Sequence, residues 1–145
     1  MGVRGSALAI DHGTKRTGFA VADPLRISLN ALEPWHGPGD APGLLEHVAG
    51  LLEERTVGCF LVGLPLNMDG SAGPRAAEVR AFAARLAQRF PGVALCFVDE
   101  RLSTKEAEEL LRENGLRGEK ARALRDSFSA LVLLRDWIRA GEPAG

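Results

Sequence analysis

Three acids interrupt apolar sequence at positions where a solvated carboxylate is not expected. Asp11 ends the run Ala7-Leu8-Ala9-Ile10, and Glu100 follows Asp99 at the end of Val93-Ala94-Leu95-Cys96-Phe97-Val98. Asp126 shares a helical stripe with Ala130, Leu133 and Trp137 at i+4, i+7 and i+11. Burying an unpaired carboxylate is costly, so such a group must be paired, neutralised or bound to a cation. Hard oxygen donors suit Mg2+ or Mn2+. Two such ions about 3.5–4 Å apart stabilise both the attacking and the leaving oxygen of a phosphodiester. The pattern favours a metal-dependent nuclease. Each acid also has a plainer reading. Asp11 suits a turn that bonds its own backbone. Glu100 suits an ion pair with Arg101 or a helix entry, and Asp126 a salt bridge to Arg122 one turn earlier. Strand side chains alternate, so Asp99 and Glu100 face opposite ways.

Cations lie near these acids in sequence. Arg101 and Lys105 flank the start of a helix whose exposed amides favour anions. Lys15 and Arg16 form a small basic spot just after Asp11. Arg117, Lys120, Arg122 and Arg125 stand against one acid, Glu119, between residues 115 and 125. A local strip of this kind can hold a phosphate backbone on a near-neutral domain, although from charge alone a solvated face is the plainer account. Residues 63–70 place Asn67 and Asp69 between glycines beyond a central strand, the end of a sheet where ligands bind. His12 is a weak candidate for assisting proton transfer. Cys59 and Cys96 lie inside apolar runs and read as small core residues, so neither a disulfide framework nor a zinc site is expected.

The elements that must position these groups follow from periodicity and punctuation. Residues 6–11 and 17–22 read as a β-hairpin turned at Gly13, with a weaker third strand over 27–32. Residues 34–43 read as a loop from their Pro and Gly content. Leu44, Leu45, Val48, Leu51 and Leu52 repeat at helical spacing. Residues 59–62 form a continuous apolar run, as suits a strand covered on both faces. Pro74 opens a helix that continues to about residue 89, and Pro91-Gly92 separates it from the strand over 93–98. Ser103 with Glu106 makes a capping box for a helix ending near Asn114-Gly115, and a last helix spans about 119–140. The order β-β-β-α-β-α-β-α-α implies an α/β fold. Its mixed five-stranded sheet has antiparallel β1-β2-β3, parallel β4 and β5, and helices on both faces.

The 145 residues suit one domain with a single core. A net charge of −1 excludes a globally basic nucleic-acid binder. No apolar run approaches the length of a membrane span, and residues 1–6 are too short and polar for a signal peptide, so a cytoplasmic protein with no membrane partner is expected.

Four ordered blocks carry a family likeness: ALAIDHGTKRTGFAVAD at 7–23, LVGLPLNMDGSAG at 61–73, VDERLSTKEA at 98–107 and DSFSALVLLRDW at 126–137. The chain resembles the YqgF family, also called RuvX, within the RNase H-like superfamily. The likeness runs from about residue 7 to 138. It implies an RNase H-like fold in which strands one and five share metal with the last helix. It implies an acidic triad of Asp11, Glu100 and Asp126, with Glu100 rather than Asp99 as the ligand, and Mg2+ or Mn2+ as cofactor. Asp11 would bridge two ions, and Arg16, Arg101 and Lys105 would steady phosphates. Members are viewed as nucleases that mature the 5′ end of 16S rRNA, or as Holliday-junction resolvases. The expected substrate is therefore structured precursor rRNA or branched DNA, and a homodimer would match a symmetric junction. The last block usually pairs two alanines after its aspartate; here one is Ser129. Two rivals remain. One is an ATP-binding enzyme of the actin and sugar-kinase class, whose phosphate loop resembles Asp11-His12-Gly13-Thr14 but which closes two such domains around its nucleotide. The other is a non-catalytic nucleic-acid-binding module.

Overall fold

The computed structural model describes residues 5–100, 109, 112–113 and 119–144, the side chains of 119–126 excepted. The five strands are β1 (Ser6–Asp11), β2 (Arg16–Ala22), β3 (Leu29–His36), β4 (Val57–Leu64) and β5 (Ala94–Asp99). They form one sheet in the order β3-β2-β1-β4-β5. The β1-β2 and β2-β3 pairs are antiparallel, and β1-β4 and β4-β5 are parallel. The helices are α1 (Pro42–Glu53), α2 (Pro74–Arg89) and α3 (Glu119–Arg139). The helix expected from Ser103 lies largely outside the described residues; within it, Glu109, Arg112 and Glu113 are helical.

Strand alternation divides the core into two layers. Leu8, Ile10, Phe60, Val62 and Leu64 point to one face and pack with Leu44 and Val48 of α1 and Val79, Phe82 and Leu86 of α2. Ala7, Ala9, Ala20, Ala22, Cys59, Leu61 and Cys96 point to the other and pack with Ala130, Leu134 and Trp137 of α3. The small residues of this second set bring α3 close to the sheet. On the stripe expected to carry Asp126, Ala130, Leu133 and Trp137 are all buried.

Two boundaries differ from expectation. β3 does not stop at 32 but runs through Pro34 and Trp35 to His36. It is an edge strand, where a residue without an N–H costs no ladder bond. The register changes from Phe19↔Leu32 to Thr17↔Trp35, so one extra β3 residue is absorbed at the proline. α1 begins at Pro42, where a loop was expected, because proline is suited to the first turn of a helix.

Candidate metal and nuclease site

Sheet parity decides which acids can meet. Asp11 continues the Ala7-Ala9 side of β1, and Glu100 continues the Cys96-Val98 side of β5, so both belong to the α3 face. β4 lies between their strands. Ile10 pairs with Val62 and Gly63 with Val98, which sets Gly63 on the same face between the two acids. The backbone of Glu100 extends the β4-β5 ladder by one bond, its N–H donating to Leu64 O at 3.3 Å. Its carboxyl folds back over Gly63, and a Cβ on Gly63 would collide with Glu100 Oε2 and come within 2.7 Å of Leu133 Cδ1. Glu100 and Asp11 are in side-chain hydrogen-bond contact. Strands one and five therefore bring their carboxylates together by spanning a glycine.

Burial pushes the Glu100 carboxyl above its ordinary range, while the contact with Asp11 and the charge of Arg75 pull the other way. Oε2 of Glu100 is buried. Two converging carboxylates in a partly desolvated place cost free energy when both are ionised, and a hard divalent cation would offset that cost. Two converging carboxylates are a donor set that fits a hard divalent cation. Among the described residues no group of three potential ligands gathers. The Asp126 side chain is outside that set. Its neighbour is informative: Ser127 Oγ accepts the N–H of Phe19 at 3.3 Å, and Phe19 pairs with Ile10, beside Asp11. The α3 backbone next to residue 126 is thus docked over the carboxyl end of β1.

The remaining expected residues divide by position. Lys15 and Arg16 are exposed at the start of β2. Asn67 is exposed in the loop after β4, where its Nδ2 donates to Ser71 Oγ at 3.0 Å and its backbone N–H to Ser71 O at 2.9 Å. Asp69 Oδ1 accepts from both the N–H and the hydroxyl of Ser71, which makes this loop self-supporting. Arg101, Lys105 and Arg117, and the side chains of Lys120 and Arg122, lie outside the described residues.

His12 is not disposed as an exposed proton carrier. It is buried, its Nε2–H donates to Gly39 O at 2.9 Å, and its ring stacks on Phe82 at 4.5 Å. Burial lowers its pKa, aided by the charges of Arg75 and Arg85. Cys59 and Cys96 are buried free thiols, and burial pushes Cys59 up to about 11, which removes it as a nucleophile. Two residues of the site escaped the sequence reading. Gly63 had a signal, since a glycine closing a central strand marks close approach of another group. Arg75 had one too: a cation in the first turn of a helix opposes the helix dipole and needs a tertiary reason.

The profile of the RuvX family, described as Holliday junction resolvase, matches residues 5–140. A protein of Anaeromyxobacter sp. (strain Fw109-5), named "Putative pre-16S rRNA nuclease", is 44% identical over 132 residues, covering 90% of this chain and 94% of that one. A protein of the same name from Porphyromonas gingivalis is 36% identical over 138 residues, covering 92% and 96%. Among solved structures, T. thermophilus RuvC in complex with a Holliday junction substrate superposes with a TM-score of 0.56 at 15% identity, over 94% of this chain and 96% of that one. A second T. thermophilus RuvC structure gives 0.58 at 14% identity. The RuvC likeness shows a shared RNase H-like fold. With the family profile covering almost the whole chain and relatives matching over nearly their full length, the chain belongs to the RuvX family of nucleases.

Proposed function

We propose that this chain is a divalent-cation-dependent nuclease acting on structured nucleic acid, with Asp11, Glu100 and Asp126 as the cation-holding carboxylates. The observation that carries the reading is the convergence of Asp11 and Glu100 across Gly63 at the carboxyl ends of parallel strands. Family membership supplies the reaction class, hydrolysis of a phosphodiester. A bound Mg2+ or Mn2+ would supply Lewis-acid stabilisation of the charge that builds on the phosphate oxygens. Asp11 and Glu100 on strand ends, with Asp126 on α3, would hold that ion in place. Lys15 and Arg16, exposed beside the carboxyl end of β1, would steady flanking phosphates. Arg101 and Lys105, followed by the basic strip at Arg117, Lys120 and Arg122, would extend the contact. The names of the relatives point to precursor 16S rRNA, and that of the family to a four-way DNA junction. Both are structured nucleic acids, which suits recognition through phosphates and shape.

The test is cleavage of a four-way junction and of a precursor-rRNA fragment with Mg2+, Mn2+ or EDTA. Asp11→Asn should lower kcat by at least about a hundredfold, the loss expected when several kcal/mol of charge stabilisation are removed. Its circular dichroism should match the parent's. Cleavage that persists in EDTA, or an Asp11→Asn variant as active as the parent, would overturn the reading.

A further inference from the structure

The β1-β2 ladder runs out at Asp11↔Gly18, and the chain beyond Asp11 is held by other means. Arg75 Nη2 donates to the main-chain oxygen of His12 at 2.7 Å and lies 3.4 Å from Nδ1 of the same residue. Arg75 Nη1 donates to Glu78 at 2.6 Å, which orients the guanidinium from its own helix. The His12 ring is gripped from two more directions, by Gly39 O on Nε2 and by the face of Phe82. A carbonyl at Nε2 and a guanidinium at Nδ1 together require the proton on Nε2. A Cβ on Gly39 would collide with that ring, so the loop before α1 is fitted to it. The loop before α1, the start of α2 and the end of β1 meet at this one residue, immediately after Asp11.

We infer that Arg75 is a positioning residue for Asp11: by clamping the His12 carbonyl it holds the preceding carboxylate toward Glu100 across Gly63. The inference rests on the reading of Asp11 and Glu100 as a cation site. Removing a group that supports a metal ligand typically costs about 10–100-fold in metal affinity or activity. Nearby charge works in the opposite sense. Arg75 favours the ionised form of Glu100 and repels a bound cation, so deleting its charge alone would tighten cation binding.

The experiment titrates the metal-free parent, Arg75→Met and Arg75→Lys with Mn2+ by calorimetry, then measures junction and precursor-rRNA cleavage. Arg75→Met should bind Mn2+ about tenfold more weakly and lose about tenfold in kcat, with KM changed less than about twofold. Arg75→Lys, which keeps the charge and one donor, should fall between the two. Mn2+ affinity that is unchanged or tighter in Arg75→Met overturns the inference. So does a raised KM at unchanged kcat, which would make Arg75 a substrate contact. Should Arg75→Met fail to fold, Arg75→Lys against the parent decides in the same way, weaker binding for and equal or tighter binding against. A parent that takes up no Mn2+, or an Asp11→Asn variant that binds as well as the parent, removes the cation-site reading and this inference with it. Parent binding that Arg75→Met leaves intact removes the inference alone.

Discussion

At the scale of single residues, the site depends as much on an absent side chain as on the acids. Gly63 faces α3 between Asp11 and Glu100, and its missing Cβ is the room into which the Glu100 carboxyl folds. Gly63→Ala should therefore act twice. Overpacking against Glu100 and Leu133 should destabilise the protein by about 1–3 kcal/mol in urea denaturation. Displacement of the carboxyl should also weaken Mn2+ binding. An alanine variant with parental stability and affinity would show that the carboxyl does not need that space. That Asp11 and Glu100 stand at strand ends was legible in the sequence, because each follows an apolar run. Their meeting was implied by the family resemblance alone, because periodicity does not place β4 between β1 and β5. His12 shows the converse. Its type and place beside Asp11 suggested proton chemistry, and only the Gly39 carbonyl and the Arg75 guanidinium, distant in sequence, reveal it as an anchor.

At the scale of elements, α3 is seated by small residues on the sheet and by a polar tie from Ser127. The Phe19 N–H lies where the β2-β3 register shifts, and it donates to Ser127 Oγ. Ser127 is fully buried. Ser127→Ala leaves that N–H without its acceptor, at a cost of about 1–3 kcal/mol. It should also loosen the seating of residue 126, so cleavage should fall together with the denaturation midpoint. A variant that loses stability yet retains full activity would separate α3 docking from the site. Among the described residues, element types and order were readable from periodicity, because strands buried on both faces and amphipathic helices opened by proline leave strong signals. The extension of β3 through Pro34 was not readable, since tolerance of a proline depends on the strand lying at the sheet edge.

At the scale of the whole molecule, acid stability is shaped by a half-buried histidine as well as by carboxylates. Burial lowers the pKa of His47, which lies on α1 beside Phe19 with a ring-centroid separation of 5.2 Å. A depressed pKa means the unfolded chain binds the proton more readily. The stability associated with neutral His47 is present above the ordinary histidine value and is lost as pH falls through that value toward the folded one. His12 shifts in the same sense and Glu100 in the opposite one, so total stability mixes them. The stability difference between the parent and His47→Gln isolates the histidine. That difference should move against the parent as urea midpoints are followed from pH 7.5 down to 5.5, and a pH-independent difference would refute the assignment.

The sheet order has a consequence for how this molecule comes into being. β1 is made early and lies at the centre, yet the strand bearing its carboxylate partner is the last of the five in the chain and sits at the opposite edge from β3. Two crossover helices must be laid down before that partner arrives, and contacts so distant in sequence are slow to close. A chain still being synthesised therefore carries Asp11 long before Glu100 can reach it.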